Sequence, residues 1–180
     1  MRGAWRAERD TLGWYRCDGR DVHLQVRVEV DGALSDLFEA LTDLDRAAKL
    51  YWPVRTHHLG TGADGEPFGE GSRRGFRVVP GVHYTERVVR RRADDRLEWV
   101  FERGGPIRSH RGRMDFEALD RRRSSVTETI EFSCSWPGVA RVLAPAIWHA
   151  NRRALLRAKL VIESVPDFTA VAPDLLLTDP

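Results

Sequence analysis

Residues 124–164 read SSVTETIEFSCSWPGVARVLAPAIWHANRRALLRAKLVIES, and a change of period inside them decides the fold. Successive side chains of a strand point to opposite faces, so Val126, Glu128, Ile130, Phe132 and Cys134 share the apolar side of a strand over Ser124–Ser135. Pro137-Gly138 interrupts that alternation. From Val139 to Ser164 the pattern is that of one long helix. At ~100° per residue, Leu143, Ile147, Ala150, Ala154, Ala158 and Val161 fall on one side. Arg141, Arg152, Lys159 and Glu163 fall on the other. Pro145 lies in the first turns, where it either kinks the helix or marks its start.

Upstream of this stretch, Val22, Leu24, Val26, Val28 and Val30 alternate with polar residues and predict a half-buried strand that ends at Asp31-Gly32. Leu34, Leu37, Phe38 and Leu41 have helical spacing. Asp43 to Leu50 predicts a second short helix, stopped by Pro53. Val54–Gly60 reads as a strand, and residues 61–71 as a flexible glycine-rich loop. Ser72–Val79, Val82–Arg92, Arg96–Arg103 and Arg108–Leu119 follow as strands joined by short turns, which means antiparallel hairpins. A single antiparallel sheet must bury one face, and only the C-terminal helix is long enough to cover it. The predicted class is α+β: a curved antiparallel sheet of about 6–7 strands wrapped round one long C-terminal helix, with two short helices after the first strand. Residues 22–164 form this domain. Residues 1–21, with Trp5, Trp14 and Tyr15, are read as an N-terminal extension, and 165–180 as a tail.

Composition fits one globular domain. The chain has 180 residues, 42% hydrophobic and 31% charged, with a net charge of +2. The charge content excludes a membrane protein. No apolar run approaches the ~18 residues a span needs, and MRGAWRAERD lacks the apolar core of a signal peptide. A cytoplasmic location is expected. Of the 29 basic residues 27 are Arg, scattered along the chain. The clusters Arg90-Arg91-Arg92 and Arg121-Arg122-Arg123 sit beside Asp94-Asp95 and Asp120, so they make no unopposed patch for nucleic acid. Cys17 and Cys134 have neither metal spacing nor a framework to join, and His57-His58 point to opposite faces of a strand, so no metal and no cofactor are expected.

The order of elements resembles the helix-grip fold of the START-like, or SRPBCC, superfamily, which includes polyketide cyclase/dehydrase-like proteins. The residues that carry the likeness are Leu37-Phe38-Glu39-Ala40-Leu41-Thr42-Asp43 with Tyr51-Trp52-Pro53, Tyr84-Thr85-Glu86-Arg87-Val88-Val89 with Asp95-Arg96-Leu97-Glu98-Trp99, and Ala154–Glu163. It covers about residues 22 to 164. The resemblance implies a cavity between sheet and helix, with Tyr51 and Trp52 near its entrance. It specifies fold better than activity, because the superfamily holds enzymes and non-catalytic binders.

Within such a cavity the polar residues on apolar faces matter most. Alternation puts His110 beside Gly112, Met114, Phe116 and Ala118, and Glu128 beside Val126 and Ile130. A buried imidazole or carboxylate is costly unless paired, and pairing or burial shifts its pKa toward acid–base work. His110 and Glu128 are therefore the candidate catalytic residues, and Tyr84, Glu86 and Asn151 the orienting ones. Trp99, Met114, Phe116, Ile147 and Ala154 would line the ligand with Tyr51 and Trp52. The competing reading is structural: Glu86 and Glu128 pair with arginines, and His110 is hydrogen-bonded in the core. Gly60 to Gly65 matches G-x-G-x-x-G, but no helix follows to hold a phosphate, so a nucleotide is excluded. The expected function is binding of a hydrophobic small molecule, by a polyketide cyclase/dehydratase-type enzyme with general acid–base groups. The alternative is a non-catalytic carrier of a lipid, quinone or aromatic metabolite; a weaker third is an interaction module using the terminal segments. No nucleic acid and no membrane span are expected; a homodimer is left open.

Overall fold

Alternating valines and leucines build the central strand. In β2 (Asp21–Val30) every second residue from Val22 to Val30 is at most 1% exposed. The computed structural model describes residues 11–51, 54–79 and 82–165. Its further elements are β1 (Thr11–Asp18), α1 (Leu34–Thr42), α2 (Leu44–Leu50), β3 (Arg55–Gly60), β4 (Arg73–Val79), β5 (Val82–Arg92), β6 (Arg96–Gly104), β7 (Ile107–Ala118), β8 (Ser124–Cys134) and α3 (Pro137–Ser164). The strands form one open antiparallel sheet of eight, in the order β1-β2-β8-β7-β6-β5-β4-β3. This is the predicted α+β helix-grip, with more strands than the expected 6–7. Among the described residues no helix is long and apolar enough to cross a membrane.

One addition is β1, inside the segment read as an extension. It pairs with β2 from Thr11↔Val28 to Asp18↔Asp21, through a turn at Gly19 with φ 62°. Its pattern is inverted: Leu12 and Trp14 face outward, while Gly13, Tyr15 and Cys17 lie opposite the buried residues of β2. The glycine is a packing device. A Cβ there would come 2.7 Å from the Gln25 carbonyl and 3.1 Å from the Trp148 indole nitrogen. That indole donates to Gln25 O at 3.3 Å, and its ring meets Tyr15.

The helix α3 lies over β1, β2 and β8, while α1 packs against β7 and β8. Its buried face is Ala140, Ala144, Asn151, Ala154, Leu155, Ala158, Lys159 and Ile162. The predicted stripe is thus rotated: Leu143, Ile147 and Val161 are only partly buried. Lys159 is a correction, since it was placed on the outer side. Its stem is buried and its Nζ donates to Glu29 O at 2.8 Å and to Glu163 Oε1 at 2.6 Å. A long aliphatic stem can cross apolar surface if its head finds acceptors. Ala140, Ala144, Ala154 and Ala158 are fully buried, so small side chains bring the helix close to the sheet. Pro145 lies inside the helix without ending it.

Two other joints position the site. Asp43 caps α2, accepting from Asp45 N at 2.8 Å and Arg46 N at 3.3 Å, and so fixes where Tyr51 emerges. The loop expected to be flexible is closed by Gly62 N to Glu66 O at 2.8 Å and Ala63 N to Glu70 O at 2.9 Å. Gly71 N to Val88 O at 2.8 Å and Val88 N to Ser72 O at 3.0 Å tie it to β5. Many of the scattered arginines pair with carboxylates, across strands in Arg73–Glu102 and Arg96–Asp115 and within β7 in Arg113–Asp115, each at 2.7 Å. Such half-exposed pairs contribute about 0–1 kcal/mol each.

The Trp99 indole lies on Gly112 of the neighbouring strand, where a Cβ would fall 2.1 Å from its ring. Gly112→Ala is expected to destabilise the protein by about 1–3 kcal/mol through overpacking, measured by denaturant unfolding. Gly138→Ala, whose Cβ meets nothing within 4 Å, should leave stability unchanged or raise it. Equal behaviour of the two variants would remove Trp99 from its seat on Gly112.

Candidate functional site

The inner faces of β4 to β8 carry polar side chains where a core would be apolar. Strand alternation delivers Arg74 and Phe76 from β4, Tyr84 and Glu86 from β5, Trp99 from β6, His110 and Met114 from β7, and Glu128 from β8. Tyr51 reaches the group as the C-cap of α2.

Glu86 is the hub. Its side chain is 3% exposed. Arg74 Nε donates to Glu86 Oε2 at 3.2 Å, and its Nη2 lies 3.2 Å from the same oxygen. Glu86 Oε1 lies 3.0 Å from His110 Nδ1. The imidazole is close enough to pair but is not aligned as a hydrogen-bond donor. The Arg74 guanidinium is itself held over two rings, 5.4 Å from the Phe76 centroid and 5.0 Å from that of Trp99. Phe76 stacks on Tyr84 at 5.0 Å, and Tyr84 meets the His110 ring edge-on at 6.1 Å.

Glu128 has a different environment. It is 1% exposed. Tyr51 Oη donates to its Oε1 at 3.2 Å, and its Oε2 is buried without a partner. Burial pushes its pKa from the usual 4.5 to about 8; the Tyr51 hydrogen bond pulls down, the Glu86 charge pushes up, and Arg74 pulls down. Burial also holds the Tyr51 and Tyr84 hydroxyls well above the ordinary phenol value, reinforced by Glu128 and Glu86 respectively. Of the two buried carboxyls, one is neutralised by a guanidinium and the other keeps its proton.

Tyr51, Tyr84, Glu86, Trp99, His110 and Glu128 are thus assembled in one region, and neither His110 nor Glu128 points to solvent. Met114 is buried opposite Glu128 in the β7–β8 register. Asn151, 6% exposed, sits on the sheet side of α3 with its Nδ2 unpartnered. Phe116 packs edge-on against Phe38, 5.0 Å between centroids, beneath α1. Ile147 is partly buried and Ala154 fully buried in the core. Trp52 lies outside the described residues. His57 covers Gly75 while His58 meets Phe68 at 4.9 Å, so each ring has its own partner. Arg74 and Phe76 went unread. Phe76 at the centre of β4 was the available signal, because alternation puts Arg74 on the same face.

A raised folded-state pKa has a definite sign in the pH dependence of stability. Between 4.5 and about 8 the unfolded Glu128 is ionised while the folded one keeps its proton. Stability therefore falls as pH rises through that window, by up to about 1.4 kcal/mol per pH unit, and the fall ends above it. In Glu128→Gln this component vanishes, so the variant gains on the wild type as pH increases across the window. Parallel pH profiles from denaturant unfolding would contradict the buried, protonated carboxyl.

The fold recurs in solved structures of low sequence identity. The chain is similar to a START superfamily protein from Mycobacterium smegmatis, with 15% identity over 77% of this chain and 97% of that one, at a TM-score of 0.64. It is similar to the Zhui aromatase/cyclase from Streptomyces sp. R1128, with 18% identity, 79% and 92% coverage and a TM-score of 0.61. Norcoclaurine synthase from Thalictrum flavum, in complex with dopamine and hydroxybenzaldehyde, gives 15% identity, 90% and 94% coverage and a TM-score of 0.57. No curated protein sequence matches this one. The model of the family described as polyketide cyclase / dehydrase and lipid transport matches residues 21–161, most of the described fold, and the chain belongs to that family.

Proposed function

We propose that the protein binds a hydrophobic small molecule between the sheet and α3 and acts on it as a cyclase/dehydratase-type enzyme. The observation that carries this reading is the arrangement around Glu86: a carboxylate bridging Arg74 and His110, beside a second carboxyl, Glu128, with an open oxygen. A pure carrier gains nothing from burying these groups, each of which costs desolvation.

In this mechanism the aromatic wall of Trp99 and Tyr84 holds an oxygenated chain in one fold, and orientation supplies much of the rate. His110 in its uncharged form accepts a proton from the carbon beside a carbonyl. Glu86 then stabilises the imidazolium, as an ionised partner does for a catalytic histidine. Glu128 gives its proton to the departing hydroxyl, which leaves as water while the new carbon–carbon double bond forms. Reprotonation of Glu128 from the imidazolium or from solvent restores the site.

Native mass spectrometry of protein isolated from its producing cells tests this. The wild type should retain a hydrophobic adduct, and His110→Phe should retain one heavier by a single water. The same adduct mass in both proteins would make this a carrier, and no adduct in either would contradict ligand binding.

A further inference from the structure

Three buried polar atoms of the candidate site residues make no hydrogen bond: His110 Nδ1, which faces Glu86, and Glu128 Oε2 and Asn151 Nδ2, which face no charged partner. The chemistry of the last two restricts what can satisfy them. An amide nitrogen only donates. Glu128 already accepts from Tyr51 at Oε1, so its proton resides on the open Oε2, which then donates. The guanidinium of the site is committed to Glu86. Among the described residues of the site an incoming anion would therefore find donors but no uncommitted guanidinium, and burying it unpaired is costly.

We propose that Glu128 and Asn151 are the specificity-determining donors of the site, selecting an uncharged ligand that presents carbonyl oxygens and refusing a carboxylate of the same shape. This rests on the ligand-binding reading above and adds the chemical class to it. The selection depends on the proton of Glu128. The titratable and charged groups around that carboxyl are Tyr51 from the end of α2, Arg74 from β4, Tyr84 and Glu86 from β5, and His110 from β7 behind Glu86. Ionisation of Glu128 places a second negative charge beside Glu86 and converts the donor to an acceptor facing the ligand oxygen.

The probes are 6-propionyl-2-(dimethylamino)naphthalene, a neutral aryl ketone whose emission responds to hydrogen bonding at its carbonyl, and 6-(dimethylamino)-2-naphthoate, which replaces the ketone by a carboxylate. Binding is followed by fluorescence titration. The wild type is expected to prefer the ketone at about pH 6.5 by tenfold or more. Its ketone affinity should fall about tenfold at about pH 9, where only about a tenth of Glu128 keeps its proton. Glu128→Gln keeps a donor and cannot titrate, so ketone binding should stay within about threefold and become independent of pH. Glu128→Met removes the donor and should weaken the ketone about five- to tenfold. The wild-type titration stands by itself if a variant fails to fold. Ketone binding with no preference over the naphthoate, or with no pH dependence, overturns this proposal and leaves the ligand-binding reading standing. Failure of both probes to bind the wild type overturns both.

Discussion

The Arg74–Glu86 ion pair is the constraint around which the inner face of the sheet is arranged. Removing two charges from water costs several kcal/mol per ion, repaid only when geometry and further contacts are good. Here Nε and Nη2 both lie against one carboxylate oxygen, and the guanidinium carbon sits over the rings of Phe76 and Trp99. Trp99 can take that position because its neighbour on β7 is glycine. Loss of Arg74 would leave Glu86 buried and unpaired, at a cost of about 3–5 kcal/mol. The strands β4 to β7 are thus joined by backbone pairing and also by one charge that cannot be left alone.

That pair also separates the roles of two nearby carboxyls. Glu86 has a cation on one oxygen and an imidazole beside the other. Glu128 has a phenol on one oxygen, nothing on the other, and a burial cost that keeps it protonated at neutral pH. Environments that push two acids apart supply a fixed charge and a hydrogen-bond donor from the same residue type. The neighbouring charges act on Glu128 in opposite senses, Arg74 lowering and Glu86 raising, so burial decides the direction.

Much of this was legible in the sequence, and the exceptions have physical causes. β2, β8 and α3 have strong periods, so their type and order could be read directly. Glu128 and His110 stood out because each breaks an apolar alternation. β1 did not, since its inward residues are Gly13, Tyr15 and Cys17 while Leu12 and Trp14 face out; its place follows from pairing with β2, which local pattern does not encode. Lys159 was misplaced because charge suggests exposure, whereas a long stem lets the ammonium reach a backbone carbonyl from within the core. The helix face was rotated because Leu143, Ile147 and Val161 carry the hydrophobic signal, whereas the fully buried Ala140 and Ala144 carry little. Arg74 was hidden among 27 arginines, several of which pair with exposed or partly exposed carboxylates; only the alternation with Phe76 distinguishes it.

The account turns on Glu128 being an uncharged acid in a folded protein at neutral pH. Carbon-13 labelling of the glutamate side-chain carboxyls, with the Glu128 resonance assigned by its absence from Glu128→Gln, reports that proton directly. The carboxyl resonance should titrate with a midpoint of about 8. A midpoint near the usual 4.5 would show an ionised Glu128 and contradict the proposed roles of Glu128 as acid and ligand donor.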